Sequence, residues 1–188
     1  MRIITPLSVI FILAIMLIFN ACETSISKPK KTIETQKEVY TYRYAKDPTQ
    51  NISLIGNLHS LELNILNESK TPTLFVLSDL EDPLFKDYIP ALNSLKSTFK
   101  ERLNIVVLLK NPYLTNELEA FLKRFKISFM LLNPTSPSYY KTFLKQNKSL
   151  EKTPSMLLYN SKHKLINIYQ GVVPAEMLSF DISNLLKG

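Results

Sequence analysis

Cysteine and glycine are both scarce in this chain of 188 residues. Cys22 is the only cysteine, and Gly56, Gly171 and Gly188 are the only glycines. A single thiol cannot form a disulfide within the chain, a cysteine metal site or the thiol pair that redox chemistry needs. Three scattered glycines cannot build a glycine-rich loop around a phosphate. The composition therefore excludes intrachain disulfides, thiol-pair catalysis and nucleotide binding through such a loop.

Histidine is nearly absent as well, since the chain has only His59 and His163. Neither has a histidine or cysteine three or four positions away, which is the spacing that places two metal ligands on one face of a helix. No carboxylate has an evident histidine partner for acid and base chemistry. We therefore expect two surface histidines, no metal, no cofactor and no catalytic residue.

Long apolar runs are confined to the start of the chain. Arg2 precedes an apolar run from Leu7 to Phe19, and Cys22 follows it closely. This order is typical of an export signal, and residues 19–22 resemble the bacterial lipoprotein box, whose cysteine is acylated and becomes the first mature residue. We predict a lipoprotein-type signal peptide at residues 1–22, with Cys22 as the lipidation site. A simple signal peptide or an uncleaved anchor with an incidental cysteine is the alternative.

Large apolar side chains are almost missing from residues 23–38, which predicts a flexible tether. Its segment KPKK at 28–31 is the densest point of a formal net charge of +7. This segment suits either contact with anionic headgroups or a solvated tether. No basic helix with interleaved aromatic residues appears, so we expect no nucleic-acid binding. The folded domain is predicted at residues 39–188.

The domain alternates short apolar runs with helical patterns. Residues 39–70 predict a strand-rich lead-in, and runs at 73–77, 103–109 and 127–132 are typical of buried strands. Helical patterns begin at Asp82–Pro83 and Asn111–Pro112, and a short one follows residue 137. A hairpin is predicted from strands at 155–159 and 164–169, and a last helix begins at Pro174. This order favours an α/β domain with a central mixed sheet.

Helical spacing also predicts which side of each later helix faces the core. In the second helix the predicted core residues are Leu114, Leu118, Phe121, Leu122 and Phe125. In the last helix they are Met177, Leu178, Ile182, Leu185 and Leu186.

The first helix contains Pro90, which removes a backbone hydrogen bond, costs about 3 kcal/mol and predicts a bend. A bent helix after the first buried strand, with Thr153–Pro154 before the hairpin, resembles the thioredoxin fold. The similarity is greatest to its membrane-tethered periplasmic branch, the TlpA-like and ResA-like proteins. In that branch a W-C-x-x-C motif precedes the helix proline, and counting back from Pro90 places Asp82 and Phe85 at the two cysteine positions. The resemblance implies the fold, without thiol chemistry, and a cis bond before Pro154.

The resemblance also implies a peptide-binding groove beside the helix start. Its candidate residues are Asp82, Pro83, Leu84, Phe85, Thr153 and Pro154. Asp82 is expected to cap the helix, while Leu84 and Phe85 are expected to offer apolar contact. We therefore predict a redox-inactive module that binds a periplasmic protein or peptide.

The predicted location is the bacterial cell envelope, with a lipid anchor in the inner or outer membrane and the domain facing the periplasm. Two other functions remain open. One is a structural or assembly subunit of an envelope complex, which would use its helix faces and the region of residues 139–140. The other is a protein similar to the thiol-disulfide oxidoreductases, as the family resemblance suggests. No oligomeric state follows from the sequence.

Overall fold

The structure is a computed structural model, which describes residues 38–66, 71–136, 140–141, 145, 150 and 152–187. The predicted signal peptide with Cys22, the tether up to residue 37 and most of the short helix after residue 137 lie outside the described residues. Within the described residues, every helix is too short or too polar to cross a membrane.

Eight strands and three helices make up the described domain. The strands are β1 (Glu38–Tyr44), β2 (Asp47–Asn57), β3 (Ser60–Leu63), β4 (Thr73–Ser78), β5 (Asn104–Leu109), β6 (Met130–Pro134), β7 (Ser155–Tyr159) and β8 (Leu165–Gln170). The helices are α1 (Pro83–Phe99), α2 (Thr115–Phe125) and α3 (Ala175–Leu185). All strands join one mixed sheet in the order β3-β2-β1-β6-β5-β4-β7-β8.

Strands β4, β5 and β6 are parallel, and every other neighbouring pair is antiparallel. The parallel pairs are connected through α1 and α2, as expected because a parallel connection needs a crossover. Side chains alternate across β4, so that Leu74 and Val76 enter one apolar cluster while Phe75 and Leu77 enter another. The first cluster lies under the helices, and we call that side of the sheet the helix face. The other side is the hairpin face.

The hairpin face is covered by the chain's own first strands. Residues of β1, β2 and β3 share its apolar cluster with residues of β5 and β7. The tip of the β2–β3 hairpin reaches the β7–β8 turn, where the amide of Leu61 donates to the carbonyl of His163 at 3.2 Å. The Tyr159 hydroxyl donates to the carbonyl of Leu58 at 2.6 Å in a fully buried position. The sheet thus curls until its two outer strands meet.

Helix α1 has nearly the bounds that the sequence predicts, and it continues through Pro90 to Phe99. The Pro90 side chain is exposed, so its ring lies on the solvent side of the helix rather than in the core. The bend at Pro90 stays a prediction.

Helix α2 begins at Thr115 and not at Asn111–Pro112, and the core position predicted for Leu114 is wrong because this side chain is 67% exposed. The reason is local. The amide of Tyr113 donates to Asn133 Oδ1 at 2.9 Å, which holds the segment before α2 in an extended path. The helix starts only after this contact. Of the predicted core-facing residues of α2, Leu114 alone is therefore exposed.

Two further expectations are corrected. Met177 is about half exposed rather than in the core, whereas Leu178 and Ile182 of the same helix are buried. The third buried strand begins at Met130, not at Ile127, because the positive φ of Lys126 ends α2 there and residues 127–129 form the connection.

Candidate functional site

The candidate site lies at the start of α1, where the chain leaves β4. Asp82 Oδ1 accepts hydrogen bonds from the amides of Leu84 at 3.0 Å and Phe85 at 3.4 Å. The Ser78 hydroxyl donates to Asp82 Oδ2 at 3.3 Å. Asp82 is therefore the N-cap of α1, and its carboxylate satisfies amides that the helix leaves without an internal partner.

Two adjacent residues of the first turn of α1 have opposite environments. Leu84 is 49% exposed, whereas Phe85 is 0% exposed. The Phe85 ring lies nearly parallel to that of Phe121, with centroids 6.2 Å apart and an angle of 9° between their planes. The expectation that Phe85 offers apolar contact to a partner is therefore wrong, because the side chain belongs to the core. Leu84 alone of this pair faces outward.

The Thr153–Pro154 segment lies beside this helix start, and its peptide bond is cis. Ser155 pairs with Leu77, which immediately precedes the serine that holds Asp82. The amide of Gly171 donates to the carbonyl of Pro154 at 2.8 Å. The structure thus brings together two segments that the sequence separates by about 70 positions.

A third segment, residues 171–173, completes this surface and was missed in the sequence analysis. The Tyr88 hydroxyl donates to the carbonyl of Val173 at 2.7 Å, which ties the segment to α1. Val172 is about half exposed, as Leu84 is, while Pro154 is buried and Thr153 partly exposed. We define the candidate groove by Asp82, Pro83, Leu84, Thr153 and Val172.

A hydrogen-bonded cluster on Asp79 orders the loop next to the groove. Its carboxylate accepts from the Asn111 side chain, the Tyr113 hydroxyl and, at 2.9 Å, the amide of Leu80. Burial, followed by the hydrogen bond to Asp79, raises the pKa of Tyr113 far above its usual range. Sequence reasoning did not find this cluster because its partners are 32 and 34 positions from Asp79 and follow no local spacing.

Lys110 is also placed near the groove. Its Nζ lies 3.4 Å from Thr153 Oγ1 and 4.9 Å from the centroid of the Tyr140 ring. A cation over an aromatic face is attracted by the ring quadrupole. Lys110 therefore supports the position of the Thr153–Pro154 segment.

A cleft of about 250 Å³ opens on the other side of the α1 start. Its apolar floor is formed by aromatic and aliphatic side chains, and charged groups of both signs surround it. The lining residues are Leu80, Glu81, Lys86, Tyr113, Glu117, Ala120, Phe121, Arg124 and Phe125.

At the described site, the start of α1 is occupied by side chains that stabilise the fold. The positions that the family resemblance assigns to thiols hold a helix cap and a buried ring. Across the described ranges, no group of three or more histidine, cysteine, aspartate or glutamate residues is placed to hold a metal ion. His59 is exposed and His163 half-buried, and both lie in turns at the far end of β7.

Comparison with known proteins finds no matching family model and no matching curated protein. Solved structures do match. A thiol:disulfide interchange protein of the thioredoxin family from Chlorobium tepidum TLS has a TM-score of 0.60 at 8% identity, covering 79% of this chain and 93% of that one. StoA from Bacillus subtilis has a TM-score of 0.54 at 15% identity, covering 78% of this chain and 96% of that one.

A thiol-disulfide isomerase from Corynebacterium glutamicum matches with a TM-score of 0.54 at 16% identity, covering 68% of this chain and 88% of that one. Likeness at such low identity shows the fold and does not transfer an activity. The architecture predicted from the sequence is confirmed: this chain has an α/β, thioredoxin-like fold with a central mixed sheet flanked by helices.

Proposed function

We propose that this chain is a redox-inactive, thioredoxin-like lipoprotein that binds a protein or peptide in the bacterial periplasm. One observation carries the proposal. Asp82 and Phe85 occupy the two positions at which the family resemblance places thiols, and they serve as helix cap and core side chain. Both side chains stabilise α1. We therefore assign the function to the exposed surface around them.

The candidate groove suits an extended peptide with apolar side chains. Leu84 and Val172 present exposed apolar groups, and the Thr153–Pro154 segment leads directly into β7. Peptides that bind beside a strand are held through main-chain hydrogen bonds, while pockets for alternate side chains select among them.

A lipid at Cys22 would tether this groove to a membrane of the envelope. Residues 23–37 separate that cysteine from the first described residue, Glu38, and an extended segment of that length reaches up to about 50 Å. The domain would thus reach partners near the membrane, while its anchor keeps it in the periplasm. The inner and the outer membrane are both compatible with this arrangement.

The fold favours one alternative, which is thiol-disulfide exchange. The matched structures bear the names of thiol:disulfide interchange and isomerase proteins. Since the mature domain has no cysteine beyond Cys22, such chemistry would need a thiol from another protein. An insulin reduction assay with dithiothreitol should give a rate equal to that of the blank, and a rate above it would support exchange.

The proposal is tested by capture of partners from intact envelopes after crosslinking. We compare Leu84→Asp with Phe180→Asp, because both replace an exposed apolar side chain and neither disturbs the core. A partner that is lost only with Leu84→Asp supports the groove. A partner that is lost only with Phe180→Asp would move the function to the exposed face of α3, which would favour the assembly-subunit alternative.

A further inference from the structure

The end of the sheet opposite the candidate groove gathers three basic connections. Thr73 at the start of β4 pairs with Asn104 on one side and Tyr159 on the other, while Met130 at the start of β6 pairs with Val106. The connections from α1 to β5, from α2 to β6 and from β7 to β8 therefore lie at one end of the domain. We call this the basic end, and its cations are Lys100, Arg102, Lys126, Lys162 and Lys164.

The charge of these three connections is strongly one-sided. All five cations are exposed, and Glu101 is the only carboxylate that the same described connections contain. Glu38 and Glu62 on the adjacent hairpin offset part of the excess. Helices α1 and α2 both end here, and cations at a helix C-terminus are stabilised by the negative end of its dipole. The positive charge of the basic end therefore comes from the ends of α1 and α2 and from the β7–β8 turn.

The first described residue lies close to the β7–β8 turn. Glu38 pairs with Gly56, Gly56 pairs with Leu61, and the amide of Leu61 donates to the carbonyl of His163 in the β7–β8 turn. Neighbouring strands are about 5 Å apart, so Glu38 lies within about 15 Å of that turn. The tether therefore joins the domain within about 15 Å of the turn that carries Lys162 and Lys164.

The candidate groove lies at the other end of the same strands. Ser155 begins β7 at the groove, and Tyr159 ends it at the basic end, which separates the two by roughly 15 Å along the strand. The amide of Gly171, just after β8, contacts Pro154 at the groove end. A domain whose basic end lies against a surface therefore presents its groove on the side away from that surface.

We propose that the basic end docks on the anionic headgroups of the membrane that holds the lipid anchor, so that the groove faces away from the bilayer. This proposal rests on the proposed anchor at Cys22. The anchor keeps the domain next to the membrane, and the tether joins the domain within about 15 Å of the β7–β8 turn. Each lysine near an anionic surface strengthens attachment by about fivefold at moderate salt.

The test uses the full chain with its lipid, reconstituted in vesicles of phosphatidylcholine with or without one third phosphatidylglycerol. Ser161→Cys places a fluorophore in the β7–β8 turn, and Thr115→Cys places one at the groove end. A quencher is attached to the lipid headgroups. We expect quenching at residue 161 only on anionic vesicles, with relief by high salt and by Lys162→Glu with Lys164→Glu. Residue 115 should stay unquenched on both kinds of vesicle.

A charge-matched control places the same substitutions elsewhere. Lys86→Glu with Lys152→Glu changes the net charge equally at the groove end, and it should leave quenching at residue 161 unchanged. If the protein floats with the vesicles while residue 161 is unquenched on both, docking is refuted and the anchor stands. A protein that separates from both kinds of vesicle refutes the anchor, and the docking proposal with it.

Discussion

The two faces of the sheet are covered by different means. On the helix face, Phe85 of α1 stacks on Phe121 of α2, and both helices follow directly after the strands on which they pack. On the hairpin face, the Tyr159 hydroxyl bonds to the carbonyl of Leu58, a residue 101 positions away. The helix face is covered by elements that are close together in the chain. The hairpin face depends on a contact between residues that are far apart in the chain.

This difference shows how the start of α1 and the strands of the hairpin face are each held in place. The helix face retains the start of α1 because Asp82 caps the helix and Phe85 fills the core below it. The hairpin face retains the strands because the β2–β3 tip is held at the β7–β8 turn. The first of these contacts lies at the candidate groove, and the second lies at the opposite end of β7.

The largest expected effect is on the helix face. Phe85→Ala removes a fully buried ring and its contact with Phe121, and we expect it to lower the free energy of unfolding by about 3 to 5 kcal/mol. Urea unfolding followed by circular dichroism measures this loss. Leu84→Ala at the neighbouring exposed position is the control and should change stability by less than about 1 kcal/mol. Equal losses for the two variants would contradict the assignment of Phe85 to the core.

The hairpin face should show a smaller loss. Tyr159→Phe keeps the ring packed edge-on against Phe75 but removes the buried hydrogen bond that the Tyr159 hydroxyl donates to the carbonyl of Leu58, at a cost of about 1 to 3 kcal/mol. Hydrogen exchange should accelerate first in the β2–β3 tip. If exchange accelerated in α1 and stayed unchanged in the β2–β3 tip, the hydrogen bond of Tyr159 would not be what holds the tip against β7.

The helix cap should contribute less again. Asp82→Ala removes the acceptor for the amides of Leu84 and Phe85, so we expect a loss of about 0.5 to 2 kcal/mol. Asp82→Asn keeps an oxygen acceptor and should lose only part of this. Urea unfolding measures the stability of both variants. If both were as stable as the wild type, the capping role of Asp82 would be contradicted.

The smallest effect appears only in alkaline solution. Burial, and then the charge of Glu176, raises the pKa of Tyr88 to about 12, above its ordinary value of about 10. The folded protein therefore holds this proton more tightly than the unfolded chain does. The stabilisation is complete below about pH 10 and is lost as the pH rises through about 12. We expect the free energy of unfolding to fall less steeply between these pH values in Tyr88→Phe, because the variant lacks this titrating group. Some fall remains because other buried tyrosines still titrate. Identical slopes would contradict a perturbed Tyr88.

Local signals explain which parts of the fold could be predicted. Asp82 and Pro83 mark the start of α1 by side-chain chemistry within one turn, so the predicted start agrees with the structure. Leu114 follows the same helical spacing as Leu118, yet the contact of Tyr113 with Asn133 delays the helix. Spacing alone cannot reveal a bond to a residue 20 positions later.

The candidate site was predictable only in part for the same reason. Counting back from Pro90 located the first turn of α1, but the counting could not tell that Phe85 points inward and Leu84 outward. That distinction depends on where α2 packs. The contribution of Val172 depends on the contact between Tyr88 and Val173, which joins residues 85 positions apart. Long-range packing therefore decides which residues of the groove are accessible.

The central claim is that partners bind at the groove through exposed side chains and without thiol chemistry. The most direct measurement places a photocrosslinking amino acid at Leu84 in one protein and at Phe180 in another, in cells, with both positions exposed to a similar degree. We predict a discrete adduct from residue 84 that survives reducing agents, and none from residue 180. An adduct from residue 180 alone, or one from residue 84 that a reducing agent releases, would contradict the account.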